Sequence, residues 1–272
     1  MPFVDRNLST LSKQEVKENY DLILLLDCAN QERIAGGPAL DTEFLLSQNL
    51  LNIDHHVDNK VNAAFNYIQG SAAATCEITT ELAQATGNPI PPEAATLWYL
   101  GLMTDTGGFR FNNTTAKTLR LAADLLDSGA ESERVVNTVY FNKPHNQQQF
   151  EAEMLQNCVK TALNGKYIYA YIPPELFTKH QFDMRDGEGL IDLLREVEGT
   201  IIAALIYRKD DAYKISLRSK NSEFPVGTIA RSMGGGGHEM AAGITLALPD
   251  AAMVEKMLLD HVTTLLNSPK KP

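Results

Sequence analysis

Apolar residues in the first half of the chain form short, unbroken runs that end in polar residues. Residues 20–26 form the run YDLILLL, which Asp27 follows, and the shorter run LLNI at 50–53 is followed by the triplet Asp-His-His at 54–56. Unbroken apolar runs of this length are typical of strands that are buried on both faces, as in parallel sheets. We therefore predict two parallel strands with polar side chains at their carboxyl ends.

Polar and apolar positions elsewhere in this half of the chain favour helices. Prolines at 91 and 92 open one helix, and Gly129 ends another. The predicted helices span residues 41–48, 71–86, 91–103 and 115–128. Alternating strands and helices predict an α/β fold, with an open, mostly parallel sheet and helices on both faces. Ligands of such sheets bind beyond the carboxyl ends of the strands, where Asp27 and residues 54–56 lie.

A polar stretch separates this pattern from a second one. Residues 142–156 read NKPHNQQQFEAEMLQ, and we interpret them as a connecting segment that becomes helical. The predicted domains are residues 1–141 and a smaller, mixed α/β domain of residues 157–272. In the second domain we predict strands at 166–172, 200–207, 212–217 and 244–248, and helices at 189–198, 226–232 and 251–266.

The charge of the chain limits its partners. The net charge is −10, and a field of that sign repels polyanions, so long duplex nucleic acid is not an expected partner. A local basic pocket would still admit a small phosphorylated ligand. Arginine and lysine concentrate at 208–220, which fits such a pocket or, equally, a pair of solvated strand edges.

Targeting signals and cysteine usage indicate an ordinary intracellular protein. Residues 1–18 carry charges throughout, unlike a signal peptide, and no apolar run approaches the ~18 residues of a membrane span. We expect a cytoplasmic protein with no membrane partner. Cys28, Cys76 and Cys158 are odd in number and lack metal-ligand spacing, so we predict reduced thiols.

Three carboxylates and two histidines are the candidates for chemistry. Asp54, His55 and His56 follow an apolar strand, where three titratable groups in a row are costly to bury unless they serve a site. Asp27 is weaker evidence, because an aspartate after a strand is also a common cap or turn former. Asp105 is predicted just after a helix, and the two glycines that follow it would let a ligand approach the backbone.

The segment GGGGH at 234–238 is the most specific local signal. Four consecutive glycines are entropically costly, which indicates that backbone amides wrap an anion closely. The alternative is a flexible linker, but an apolar strand follows almost at once. Arg110, on the glycine loop after Asp105, could pair with an anion as well.

Together these motifs resemble the DHH phosphoesterase family, in the subgroup with a C-terminal DHH-associated domain, and most closely its nanoRNase/pAp phosphatases. The likeness rests on Asp27 in LLLDCAN, 54–56 in NIDHHVDN, Asp105 in MTDTGGFRF, 218–219 in SLRSK and 234–238 in GGGGHEMAAG. These segments occur in the family's order.

The resemblance implies a pair of divalent ions, usually manganese, with magnesium as the alternative. Asp27 would bridge both ions, and His55 and Asp105 would ligate the second. His56 would face the substrate phosphate, and Asp54 would orient a histidine. Carboxylate and imidazole ligands suit these metals. The residues that would hold the nucleotide are Arg110, Arg218, Ser219, Gly235, Gly236, Gly237 and His238.

The sequence departs from the family pattern before Asp27. The family's first strand is followed by a His-x-x-x-Asp-x-Asp segment that supplies three ligands, and the residues before Asp27 contain no histidine. Either this chain starts late or it derives from an enzyme that lost the segment. We therefore expect one weak metal site and little turnover from this chain.

The function implied is hydrolysis of short 5′-phosphorylated oligonucleotides, of the 3′-phosphate of pAp, or of both. A non-catalytic nucleotide-binding or regulatory protein with a degenerate metal site is the alternative. Loss of a strand would also uncover apolar surface in the sheet, which favours association, and a homodimer is left open.

Overall fold

A computed structural model describes residues 12–31, 41–184 and 189–268. The chain divides into two compact units, Met1–Asn142 and Lys143–Pro272. The first contains a three-stranded sheet and the second a six-stranded sheet.

The sheet of the first unit is parallel throughout. Its strands are β1 (Ile23–Leu26), β2 (Leu50–Asp54) and β3 (Phe65–Ile68), in the order β1-β2-β3. The two strands predicted from the apolar runs are confirmed. The third was not predicted, because its sequence FNYI is short and all four residues are exposed, so it lacks the apolar run of a buried strand.

The described residues of this unit form the helices α1 (Lys13–Asn19), α2 (Thr42–Leu46), α3 (Thr75–Ala85), α4 (Pro92–Asp105), α5 (Ala116–Asp127) and α6 (Ser132–Tyr140). Ser12 and Glu15 make a capping box that starts α1. Residues 1–11 lie outside the described part. Asp105 is the last residue of α4 instead of following the helix.

Helices cover both faces of the three-stranded sheet. On one face Ile53 packs with Ala72 and with Ile78 of α3. On the other face Leu50 packs with Leu45 and Leu46 around α2. Helices α3 to α6 share a further core that contains the fully buried Leu102, Leu125 and Val135.

The sheet of the second unit is mixed. Its order is β4-β5-β6-β7-β9-β8, with only β5 and β6 parallel. The strands are β4 (Val159–Ala162), β5 (Tyr167–Ile172), β6 (Ile202–Lys209), β7 (Ala212–Ser219), β8 (Gly236–His238) and β9 (Ala241–Leu246). Strand β9 begins earlier than the predicted extended segment at 244–248, because Ala241–Gly243 pair with the glycine-rich strand β8.

Two cores lie on opposite faces of this sheet. The remaining helices are α7 (His145–Asn157), α8 (Pro174–His180), α9 (Leu190–Arg195), α10 (Val226–Ser232) and α11 (Ala251–Asn267). Helices α10 and α11 cover one face with Ile229 and Leu258, and α7 to α9 cover part of the other with Phe150 and Leu194. The expected α/β fold with a mixed second sheet is confirmed.

No helix in the described ranges combines the length and apolar character needed to cross a bilayer. None of the three cysteines, all of which lie in the described ranges, forms a disulfide, and Cys28 is buried.

Candidate functional site

The carboxyl ends of β1 and β2 bring two predicted site segments side by side. The register pairs Leu26 with Ile53, so Asp27 follows its strand at the level where β2 reaches Asp54. The Asp27 backbone has φ +57°, in the left-handed region that non-glycine residues rarely adopt. Its amide donates to the carbonyl of Ile53 at 3.1 Å, which fixes this turn against the neighbouring strand.

One imidazole nitrogen lies between the other predicted metal-binding groups. The Nε2 atom of His55 is 3.6 Å from Oδ1 of Asp27 and 3.7 Å from Oδ2 of Asp105. The imidazole is 8% exposed, whereas the two carboxylates are 55% and 38% exposed. The three residues lie at the ends of two strands and at the end of α4. The fold thus brings together residues from a 79-residue segment, 27–105.

The second nitrogen of His55 fixes the tautomer. Nδ1 lies 3.3 Å from the carbonyl oxygen of Ala72, an acceptor only, so Nδ1 carries the proton and donates. The lone pair of Nε2 then faces the Asp27 and Asp105 carboxylates. A metal-binding histidine is commonly oriented in this way by a hydrogen bond from its other nitrogen.

The donor set fits a hard divalent cation. Separations of 3.6 and 3.7 Å are too long for hydrogen bonds, so these atoms face a common space instead of bonding to each other. Two carboxylates and one neutral imidazole suit manganese or magnesium. Cys76 lies nearby, but burial and then the charges of Asp105 and Asp27 raise the pKa of its thiol to about 12, so it stays protonated at neutral pH.

Asp54 is buried beneath this cluster and holds His56. Its Oδ1 accepts from the ring Nδ1 of His56 at 2.7 Å and from the backbone amide of His55 at 2.7 Å, while its Oδ2 accepts from the Asn59 side chain. Burial alone would raise the pKa of Asp54, but the hydrogen bonds from His56 and Asn59 outweigh it and hold the pKa below the usual value. Ligand atoms of Asp27, Asp54, His55 and His56 all lie within 4.8 Å of one another.

The turn before α3 contacts the candidate metal-binding residues, and sequence reasoning missed it. The Ala72 carbonyl accepts from His55, and Thr75 Oγ1 donates to Oδ1 of Asp27 at 2.8 Å. Asn113 Nδ2 donates to the carbonyls of Ala73 and Asp105, at 3.1 Å each. The segment SAAAT was predicted as the first turn of a helix, and nothing in its residue types indicates these contacts.

A buried carboxylate anchors the same turn. Glu77 is 1% exposed, and its Oε2 accepts from Thr118 Oγ1 at 2.7 Å and from the Ala73 amide at 3.3 Å. Lys117 Nζ lies 2.8 Å from its Oε1. Because Thr118 and Lys117 are about 40 positions away along the chain, local sequence patterns could not reveal the network.

Arg110 lies on the loop after Asp105, but its side chain folds back. Its Nε donates to the carbonyl of Gly107 at 2.7 Å. Gly108 has φ +70°, and a Cβ there would meet the Tyr140 hydroxyl oxygen at 2.9 Å, which explains the glycine by packing. A role of Arg110 in anion binding stays a prediction.

In the second unit, the sheet register places several predicted nucleotide-binding residues on one face. Arg218 pairs with Ala241, and Ala241 pairs with His238, so these three form one row across β7, β9 and β8. Ser216, Gly243 and Gly236 form the next row. Residues directly opposite each other share a face. Helices α7 to α9 cover one part of this face. Gly243 and Thr245, on the neighbouring part, are exposed, and we call that part the open face.

Ser219 points the other way. Neighbouring residues in a strand face opposite sides of the sheet, so Ser219 cannot share the face of Arg218. Its side chain is 2% exposed, and its Oγ donates to the carbonyl of Asn221 at 2.9 Å. The structure thus separates two neighbours that were predicted to hold the same nucleotide.

Close packing explains two of the four consecutive glycines. A Cβ at Gly235 would collide with the carbonyl oxygen of Gly243, and one at Gly237 would lie 2.7 Å from that of Ala241. Gly237 also has φ +122°. The glycines therefore allow β8 to approach β9, and their role in wrapping an anion stays a prediction.

Comparison with known proteins agrees with this architecture. A model described as the DHH family, N-terminal domain, matches residues 3–102, and a model described as the DHHA1 domain matches residues 164–266. A bifunctional oligoribonuclease and PAP phosphatase NrnA from Thermus thermophilus is 30% identical over 240 residues, which cover 88% of this chain and 69% of that protein.

The chain belongs to the DHH family. The bifunctional oligoribonuclease and PAP phosphatase NrnA from Bacillus subtilis is 29% identical over 251 residues, covering 90% of this chain and 76% of that protein. An exopolyphosphatase-related protein from Bacteroides fragilis shares the fold, with a TM-score of 0.82 at 23% identity over 94% of this chain and 75% of that one. The expected resemblance is confirmed, and the chain is a hydrolase of the phosphoesterase type.

Proposed function

We propose that this chain is a metal-dependent phosphoesterase that hydrolyses short 5′-phosphorylated oligonucleotides, the 3′-phosphate of pAp, or both. The observation that carries the proposal is the position of His55 Nε2, 3.6 Å from Asp27 and 3.7 Å from Asp105. The DHH family is metal-dependent, and its relatives named above act on oligoribonucleotides and PAP.

Asp27, His55 and Asp105 would hold a manganese or magnesium ion. When bound, such an ion lowers the pKa of a coordinated water and offsets negative charge on a phosphate. The chain supplies the orientation: the Ala72 carbonyl keeps the proton of His55 on Nδ1, and the Thr75 hydroxyl holds Asp27. Asn113 links the Ala73 carbonyl to that of Asp105 at the end of α4.

His56 is the residue we assign to the substrate phosphate. Its Nδ1 is hydrogen-bonded to Asp54 Oδ1, so a substrate oxygen would contact Nε2. The lowered pKa of Asp54 keeps that carboxylate ionised at neutral pH, which favours a protonated Nδ1. Asp54 therefore orients His56 and does not itself contact the phosphate.

The proposed ligands bear on how many ions the site would hold. Family resemblance implies two ions, with Asp27 as the bridging ligand. Asp27, His55 and Asp105 would supply three ligands to one of these ions. Arg218, Gly236 and His238 on the open face of the second unit would hold the nucleotide.

Assay of two substrates tests the proposal. A 5′-phosphorylated dinucleotide should yield mononucleotides, and pAp should yield AMP and phosphate, when manganese is added and not in EDTA. The variant Asp27→Asn should abolish both products. Tight nucleotide binding with no manganese-dependent product would contradict the enzyme and support the non-catalytic alternative. Rapid turnover would support the enzyme but contradict the expected impairment.

A further inference from the structure

The open face of the second sheet continues beyond the residues assigned to the nucleotide. Lys214 pairs with Thr245 in the row after Ser216 and Gly243. Side chains two residues apart along a strand share a face, so Lys214, Ser216 and Arg218 line the same side of β7. Three consecutive rows of this face therefore run from Arg218 and His238 to Lys214 and Thr245.

Lys214 is suited to bind a second anion. Its Nζ donates to the Thr245 hydroxyl at 2.8 Å, which places the ammonium group over the neighbouring strand. Within the described ranges it makes no ion pair, so its charge is not neutralised by a carboxylate. An ammonium and a hydroxyl side by side can both donate to one phosphate.

The distance between the two ends of the face exceeds the reach of one phosphate. Arg218 lies four positions after Lys214, and at about 3.3 Å per residue this corresponds to roughly 13 Å along the strand. At a stacked rise of about 3.4 Å per nucleotide, this corresponds to roughly four nucleotides, and to fewer if the chain is extended. The middle row offers only Ser216, Gly243 and Gly236, so small side chains leave the path between the ends unobstructed.

The face ends at the hairpin turn beyond Lys214. Lys209 pairs with Ala212 one row beyond Lys214, and the hairpin turn that follows is formed by Asp210 and Asp211. The charge of Lys209 is opposite to that of the two carboxylates, so this end adds no net positive charge to the face. The path along the face has a limited length, because the strands end at this turn.

We propose that Lys214 and Thr245 form a second phosphate subsite, which takes a downstream phosphodiester of a single-stranded oligonucleotide whose terminal nucleotide lies at Arg218 and His238. This subsite rests on the proposed function. It makes affinity rise with substrate length up to the Lys214 row and then level off at the hairpin turn.

Binding of 5′-phosphorylated oligoadenylates of two, three, four and six nucleotides tests the subsite. Isothermal titration calorimetry on the full chain in EDTA prevents cleavage during the measurement. For the wild type, affinity should rise between two and four nucleotides and change little at six. Lys214→Ala should leave the dinucleotide unchanged and weaken the tetranucleotide about 3- to 10-fold. When log affinity for the tetranucleotide is plotted against log salt concentration, the slope for this variant should be less steep by about 0.7. That difference corresponds to the loss of one phosphate contact to a single strand.

Lys256→Ala is the matched control, because Lys256 is an exposed lysine on α11, which covers the opposite face. It should behave as wild type at every length, and Thr245→Val should reproduce part of the Lys214→Ala loss. Equal weakening of all lengths by Lys214→Ala, or a length dependence that survives it, would overturn the subsite. If no oligonucleotide binds, the dinucleotide included, the assignment of Arg218 and His238 would be overturned as well.

Discussion

Thr75 illustrates how single side chains set the candidate metal centre. Its hydroxyl donates to Asp27 at 2.8 Å from the first residue of α3, and the side chain is buried. Asp27 occupies an unfavourable backbone conformation at φ +57°, so its carboxylate depends on such contacts for a defined direction.

Replacing Thr75 by valine removes this donor with little change in volume. We expect manganese affinity to fall by about 10-fold or more, as for other residues that orient a ligand, while the melting temperature changes little. Manganese titration and thermal melts of the same preparation measure both. Thr79→Val is the control, because the Thr79 hydroxyl donates only to the Cys76 carbonyl within α3. Wild-type manganese affinity in Thr75→Val would show that Thr75 is not needed to orient Asp27.

The lowered pKa of Asp54 predicts that the protein loses stability at acidic pH. Its pKa in the folded protein lies below the unfolded value, because hydrogen bonds from His56 and Asn59 outweigh burial. A group with a depressed folded pKa contributes stability that is complete above its unfolded pKa, near 4, and is lost as pH falls through the folded value.

Asn59→Ala removes one of the hydrogen-bond donors to Asp54, so the folded pKa should move up toward the unfolded one. The variant should be less stable than wild type at pH 6, and the difference should shrink as the pH falls below about 4. Urea unfolding between pH 3 and 6 measures this. A difference in unfolding free energy that stays constant across the range would mean that Asn59 stabilises the fold without acting through Asp54.

At the scale of elements, the three-stranded sheet exposes an apolar surface. The register places Leu24 and Phe65 on either side of Leu51, and Leu26 and Tyr67 on either side of Ile53. While Ile53 is buried under α3, the four flanking side chains are between 49% and 58% exposed. Contiguous exposed apolar side chains on edge strands favour association.

We expect the chain to self-associate at micromolar concentration, and the double change Leu24→Lys with Leu26→Lys to reduce that association. Light scattering after size exclusion, with binding of a hydrophobic dye, gives the result. Leu119→Lys, on the exposed side of α5, is the control for added charge. A wild-type monomer that binds no dye would contradict this prediction.

Elements that rest on local patterns were predictable, and contacts between elements were not. Strands β1 and β2 carry apolar runs, and both end in polar residues that the fold brings together. By contrast, Thr75 and Glu77 act through residues about 40 or more positions away, which no local pattern records. Arg218 and Ser219 lie on opposite faces of β7, as the two-residue period of a strand requires, and their roles in binding a nucleotide stay predictions.

At the scale of the whole molecule, the net charge is negative although the face proposed to bind the nucleotide is cationic. The chain carries a net charge of −10, yet the open face of the second sheet presents Lys214 and Arg218 with small residues between them. An acidic exterior disfavours long polyanions, while a short cationic path retains small ones. This combination fits a substrate of few nucleotides.

The most direct test of the account is a manganese titration of the full chain followed by electron paramagnetic resonance. We expect a saturable site in the wild type, weakened more than about 100-fold by His55→Ala or by Asp105→Asn, a larger loss than for residues that only orient a ligand. Asp124→Asn, at an exposed carboxylate of α5, should bind as wild type. No saturable binding by the wild type, or unchanged binding in the His55 and Asp105 variants, would contradict a metal centre built on these residues.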